Sequence, residues 1–242
     1  MDLISRLNPD RFDITIVTTE TSEYIWRQRF EKYAEVFDLT SFLHRQDWPA
    51  FIHYLIKSRN IDIVMDSNSY FGFYAIPWLK SKFPEVVFTD YLHSENKSWR
   101  NGEYPRDSTA IDAFLDKTYT CTKVLRESMK KNMGRTIDNV ETVYIGVDEA
   151  EFDERKVNIS DNEDLNKVKE KLQGKKTILF LCRISEEKRP IFILKVFKEL
   201  IKKDKELILL VIGDGPELKE MKSIAKKMEL VKILSFLECK KM

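Results

Sequence analysis

The feature that most constrains this chain is an alternation of short apolar runs with longer segments of helical periodicity. The runs lie at 13–18 (DITIVT), 62–66 (DIVMD), 86–92 (VVFTDYL), 117–121 (KTYTC), 141–145 (ETVYI), 177–182 (TILFLC) and 207–212 (LILLVI). A weaker one follows at 232–237. Their β-branched and aromatic content, and a length of about five or six residues, predict strands. Between them, 49–58 and 122–133 read as helices. In 190–203, Pro190, Ile193, Leu194, Phe197, Leu200 and Ile201 repeat at the i, i+3, i+4, i+7 spacing of one buried face. Pro190 suits the first helical turn, where its missing N–H is no loss. Strands that alternate with helices predict an α/β fold, a parallel sheet covered by helices. At 242 residues, two such units or one large one are expected.

The boundary between them is visible as a change of character. Residues 151–175 are charged, poor in large apolar side chains and without a strand signal, and a polar helix is expected near 161–172. This segment reads as a connection between an N-terminal domain at 1–150 and a C-terminal domain at 176–242. A doubly wound domain normally opens on a strand, whereas residues 2–7 read as a helix. Beyond residue 176 there is room for only about half of a six-stranded sheet. The expectation is therefore an N-terminal domain without its first strand and a C-terminal domain only partly present.

Composition removes several functional classes. The 41 Lys and Arg balance 40 Asp and Glu, so the net charge of +1 provides no global attraction for nucleic acid. Three scattered cysteines, Cys121, Cys182 and Cys239, without CxxC spacing, suit a reducing cytoplasm better than a disulfide framework or a zinc site. No apolar run approaches the roughly 20 residues of a membrane helix, and no signal-peptide pattern opens the chain. The stretch 123–135 carries Lys123, Arg126, Lys130, Lys131 and Arg135 among Val124, Leu125, Met129 and Met133. It reads first as a packed helix with a solvated face, and second as a peripheral contact for anionic lipid on the inner face of a membrane.

Two segments carry chemistry. In 178–190 (ILFLCRISEEKRP) an apolar strand ends at Cys182, a short turn bears Arg183 and Lys188, and a helix begins near Pro190. A guanidinium fork and an ammonium beside a helix N-terminus, at the carboxyl end of a parallel strand, suit a diphosphate. An ordinary charged surface turn explains the same residues about equally well. One βα unit later, LILLVI runs into Gly213-Asp214-Gly215-Pro216 and a further helix. Glycines there permit close backbone approach, and Asp214 can cap the helix or accept a hydrogen bond from a sugar or base. A tight strand-to-helix turn alone explains this motif as well.

Together these residues resemble the start of the C-terminal domain of family-four glycosyltransferases, which have the GT-B fold of two Rossmann-like domains. The matching positions are Arg183, Glu187, Lys188, Gly213, Asp214, Gly215 and Pro216; Cys182 and Arg189 stand where the family usually has glycine. Gly146, Val147, Asp148 and Phe152 resemble the close of the family's first domain, with Ile145 where asparagine is common. Residues 89–107 (TDYLHSENKSWRNGEYPRD) resemble bacterial polysaccharide-type members.

The resemblance implies a retaining transferase that moves a sugar from a UDP- or GDP-sugar to a glycan, a lipid-linked or another hydroxyl acceptor. Arg183 and Lys188 would hold the donor diphosphate, Gly213, Asp214, Gly215 and Gly146 would line the nucleotide-sugar cleft, and His93 would be the catalytic histidine contacting the transferred sugar. His44 and His53 read as structural. The nucleotide-sugar is a substrate and no cofactor is expected; no Asp-x-Asp pair occurs, which predicts metal independence. The family's glutamate pair is absent, so the chain alone is expected to be weakly active or inactive, with a completing chain as one remedy. A non-catalytic partner subunit, a nucleotide-sugar epimerase and, lowest, an oxidoreductase remain the alternatives.

Overall fold

In a computed structural model of the chain, residues 2–21, 27–95, 103–147, 149, 163–230 and 234–237 are described. The chain divides into two compact units, Met1–Glu149 and Ala150–Met242. Residues 150–162, most of the proposed connection, lie outside the described residues, as do Asp148, Phe152 and the 96–102 part of the polysaccharide-type segment.

The first unit opens on a helix, α1 (Asp2–Arg6), followed by strand β1 (Thr15–Thr18), α2 (Arg27–Phe30), β2 (Glu35–Asp38), α3 (Leu39–Phe42) and α4 (Trp48–Arg59). Strands β1 and β2 form a parallel pair. There follow β3 (Ile63–Asp66), α5 (Tyr70–Lys82), β4 (Val87–Leu92), α6 (Glu103–Ala110), β5 (Lys117–Thr120), α7 (Lys123–Met133) and β6 (Val140–Thr142). The last four strands lie in the order β3-β4-β5-β6, all parallel. One face of this sheet packs on the helices through Phe73, Ala75, Ile76 and Leu79 of α5, and through Leu125 and Met129 of α7. The turn chemistry is local. Thr122 accepts a hydrogen bond from the Leu125 N–H and caps α7, and Gly134 closes that helix at φ 72°.

One row of this sheet is polar where a core is expected to be apolar. The register sets Asp66 of β3 beside Asp90 of β4, and Asp90 beside Thr118 of β5. Asp66 is 6 % exposed and Asp90 and Thr118 are fully buried. The neighbouring helix makes room for the first carboxylate: a Cβ on Gly72 would come within 1.9 Å of Asp66 Oδ2. Behind the row lies Arg135, also sequestered, donating from Nη1 to the Ser108 carbonyl at 2.9 Å and from Nη2 to Thr118 Oγ1 at 2.9 Å. Its guanidinium is a core group. The helix of 123–133 is packed on one side and solvated on the other, as its sequence reads, but two of the basic residues counted on the solvated side are not there: Arg135 is buried, and part-buried Arg126 donates to the Val140 and Ile137 carbonyls. Three lysines, Lys123, Lys130 and Lys131, remain exposed.

The second unit contains α8 (Glu163–Leu172), β7 (Lys176–Leu181), α9 (Pro190–Lys203), β8 (Leu207–Ile212), α10 (Leu218–Lys227) and β9 (Leu234–Leu237), with a parallel sheet β7-β8-β9. Its core gathers Ile184, Leu194, Phe197, Leu209, Val211, Met221 and Leu230. The buried face of α9 is the one its periodicity predicts, with Pro190 in the first turn and Leu194 and Phe197 inward.

Candidate functional site

The turns that follow β7 and β8 are stapled to each other, backbone to backbone. The Cys182 N–H donates to the Ile212 carbonyl at 3.2 Å, Ile184 N–H to the Asp214 carbonyl at 2.8 Å, and Glu217 N–H to the Ile184 carbonyl at 3.1 Å. The approach is close enough to require glycine twice. A Cβ on Gly213 (φ +148°) would lie 1.9 Å from the Cys182 carbonyl oxygen, and one on Gly215 (φ +157°) would lie 2.3 Å from the Ile184 carbonyl oxygen. Both glycines therefore serve loop-to-loop packing, a role that reading them for a ligand's approach overlooked. Asp214 turns back on its own backbone, accepting from the Gly215 N–H at 2.7 Å.

This packing brings the turn bearing Arg183 and Lys188 alongside the Gly213–Pro216 turn. Arg183 is 69 % exposed and forms an ion pair with Glu187, four residues on. The hydrogen bond from Arg183 holds the Glu187 carboxyl below the usual range. Lys188 ends a 3-10 turn, Glu186–Lys188, and is exposed. Burial pushes the Cys182 thiol up, opposed by the smaller effect of the Lys188 charge. An open pocket of about 510 Å³ adjoins, lined by Asp214, Gly215, Pro216, Leu218, Lys219 and Lys222. Lys219 and Lys222 went unread in the sequence, where they look like ordinary helix surface.

Arg189 explains one of the departures from the glycine pattern. It caps α9 with φ 52° and ψ 53°, a left-handed conformation. Cys182 is not among the positive-φ residues, so a side chain there meets no such strain. A left-handed non-glycine residue costs about 1–2 kcal/mol, and glycine returns about 0.5–1 kcal/mol through the unfolded chain. Arg189→Gly is thus expected to stabilise the second unit by about 0.5–1 kcal/mol, read as a higher urea midpoint; a lower midpoint would contradict the strain.

In the first unit, His93 follows β4. Its Nε2 lies 3.2 Å from Ser67 Oγ, its ring centroid stands 4.6 Å from that of Tyr91, and its carbonyl accepts from the Cys121 thiol at 2.8 Å. Burial holds its imidazole below the ordinary value. His53 packs between Trp78 and Phe83, a structural histidine as expected, and His44 precedes a 3-10 turn. Gly146 lies on an exposed segment where a Cβ would meet nothing within 4 Å. Nothing in its surroundings demands glycine.

The carboxylate row near His93 is the feature that sequence reading missed. Burial raises Asp66 to about 7, opposed by the Ser69 N–H and helped by the Asp90 charge. Asp90 is raised as well, burial outweighing the Ser108 and Thr118 hydroxyls and the Arg135 charge. The available signal was an aspartate inside one apolar strand, Asp90, and another ending its neighbour, Asp66, since aspartate is depleted from strands.

Comparison with known proteins gives a consistent answer. Residues 161–241 match the family model described as Glycosyl transferases group 1. Over 88 residues the chain is 34 % identical to alpha-monoglucosyldiacylglycerol synthase of Streptococcus pneumoniae, a match covering 35 % of this chain and 19 % of that protein. The fold resembles Anabaena Alr3699/HepE, solved in complex with UDP, with a TM-score of 0.69 and 14 % identity over 93 % of this chain and 61 % of that one. A glycosyltransferase of Rickettsia africae gives a TM-score of 0.68 and 15 % identity, covering 93 % of this chain and 60 % of that one. The chain thus spans about three fifths of the length of these solved structures. No helix among the described residues is long and apolar enough to cross a membrane.

Proposed function

We propose that the chain is a group 1 glycosyl transferase, the family whose model matches residues 161–241, with the GT-B type of α/β fold, and that its second unit binds the diphosphate of a nucleotide-sugar donor for retaining transfer to a hydroxyl acceptor. The observation that carries the proposal is the pair of stapled turns, which sets Arg183 and Lys188 beside Gly213–Pro216. Two solvated cations on a turn that rigid backbone contacts hold in place form a preorganised anion site. The Arg183–Glu187 pair orients the guanidinium fork, and such an exposed pair exchanges readily for a stronger anion.

In the proposed reaction the bond between the anomeric carbon and the diphosphate oxygen breaks, and the acceptor oxygen forms the new bond. The acceptor proton passes to the departing phosphate oxygen. Arg183 and Lys188 stabilise the negative charge that grows on that leaving group, a task that needs no divalent ion. His93 is assigned to the transferred sugar by the family resemblance. HepE's complex with UDP supports a uridine nucleotide as donor, and the name of the pneumococcal relative, a monoglucosyldiacylglycerol synthase, supports a lipid hydroxyl among the candidate acceptors. Free Cys121 and Cys182 suit the reducing cytoplasm where such donors occur.

The test is the affinity of the 242-residue chain for UDP, measured by titration calorimetry with EDTA present. Losing one hydrogen bond between charged groups costs about 1.5–3 kcal/mol, so Arg183→Ala and Lys188→Ala should each weaken binding about 10–100-fold. Unchanged affinity in the double variant, or a strict requirement for manganese, would remove the assignment.

A further inference from the structure

His93 is held from two sides by groups that no part of the family resemblance mentions. Its main chain is pinned by the Cys121 thiol on its carbonyl at 2.8 Å, and its ring by Ser67 Oγ, 3.2 Å from Nε2. Ser67 is itself placed by a rigid turn. Asp66 Oδ1 accepts from the Ser69 N–H at 2.8 Å, Asn68 takes a left-handed φ of 61°, and Ser69 Oγ accepts from the Gly72 N–H at 3.1 Å. A bond of 2.8 Å between Thr19 Oγ1 and Ser69 Oγ ties the same turn to the end of β1. Ser67 therefore reaches the imidazole from a turn anchored to two strands and a helix.

We propose that Ser67 is a positioning residue for His93: its hydroxyl donates to Nε2, fixing the neutral Nδ1–H tautomer and leaving Nδ1–H as the donor offered to a sugar oxygen. In a neutral imidazole one nitrogen is a bare acceptor and the other carries the proton, and a hydrogen bond at one sets the state of the other. A serine hydroxyl rotates freely and can turn its proton toward that lone pair; the opposite arrangement, Nε2–H donating to Oγ, is the outcome that the experiment below separates from it. Burial lowers the imidazole's pKa and so favours the neutral ring, the form that has a lone pair for Ser67 to donate to. Among the described residues Nδ1 has no hydrogen-bond partner, whereas Nε2 is engaged. A donor fixed in direction before the ligand arrives needs no reorganisation when the sugar binds. The sugar contact rests on the reading of His93 given above; the tautomer does not.

The experiment is heteronuclear NMR of the imidazole nitrogens of His93 in the 242-residue chain, compared among wild type, Ser67→Ala and Ser67→Thr. The wild-type ring is expected as the Nδ1–H tautomer, the form less favoured in water. In Ser67→Ala the ring should revert to Nε2–H and its pKa should rise, because the bond that favoured the neutral ring is gone; Ser67→Thr should restore both. An Nε2–H tautomer in the wild type, or identical ring signals in Ser67→Ala, overturns the proposal. Adding UDP-glucose then tests the separate reading. Nδ1–H should shift on binding in wild type. A tautomer that responds to Ser67 but not to UDP-glucose keeps the positioning role and removes the sugar contact.

Discussion

Gly213→Ala is expected to destabilise the second unit by about 3–5 kcal/mol, more than any exposed substitution in the chain. Two effects add. A φ of +148° is accessible to glycine and strained for alanine, at about 1–3 kcal/mol. The new methyl would also stand 1.9 Å from the Cys182 carbonyl oxygen, a backbone atom with no rotamer to yield. The loops must part, which breaks the bonds from Ile184 N–H to the Asp214 carbonyl and from Cys182 N–H to the Ile212 carbonyl. Parting them also releases the turn that carries Arg183 and Lys188, so affinity for UDP should fall with stability. Gly146→Ala is the control. Its Cβ meets open space, and a change within about 0.5 kcal/mol is expected. The measurement is urea unfolding followed by hydrogen exchange at amides of the β7–β8 region. Equal midpoints for wild type and Gly213→Ala would mean that the glycine pair is not what holds the two turns together.

The same pair of turns shows how far the sequence could be read. The order of strands and helices, the buried face of α9 and the Arg183–Gly215 constellation all follow from local periodicity and spacing, which survive into the fold because they are set within one βα unit at a time. Elements without that signal escaped. Strand β2 has only four residues, too few for a period to show. Helix α5 contains Gly72 and Pro77 and is apolar on nearly every side, YFGFYAIPW, so neither amphipathicity nor propensity marks it. The function of Gly213 as a packing device was hidden because the atoms it avoids belong to a turn some thirty residues earlier. Arg135 was read as a surface cation because it closes a stretch that carries Lys123, Arg126, Lys130 and Lys131; only the tertiary fold shows it sealed against Thr118 and the Ser108 carbonyl. Likewise, the adjacency of Asp66 and Asp90 depends on strand register, which no single segment encodes.

That adjacency leads to the second large effect, a pH dependence opposite to the usual carboxylate case. Asp66 has a folded-state value of about 7 against an ordinary 3.8, so the fold favours its protonated form. Between those values the folded state binds a proton that the unfolded chain has released, and stability falls as pH rises. Below pH 3.8 the carboxyl costs nothing, and above about 7 the full penalty is present. At 1.36 kcal/mol per unit this is about 4 kcal/mol, a large fraction of the total for a marginally stable fold. Burial and the Asp90 charge raise it, and the Ser69 N–H opposes them without overcoming them. Asp90 repels its charge from the adjacent strand, and Oδ2 has no hydrogen-bond partner among the described residues. Arg135 and Asp112 act on the Asp90 side of the row, and Tyr104 faces Asp66 from α6. Asp66→Asn keeps the oxygen that accepts from the Ser69 N–H and replaces the unpaired oxygen by an amide able to donate to Asp90. The variant should therefore match wild type near pH 4, exceed it by several kcal/mol at pH 8, and show a flatter stability profile between. Urea midpoints for both proteins across that range decide the matter. Parallel profiles would mean that Asp66 is charged at no cost in the fold, and that the carboxylate row is solvated in solution.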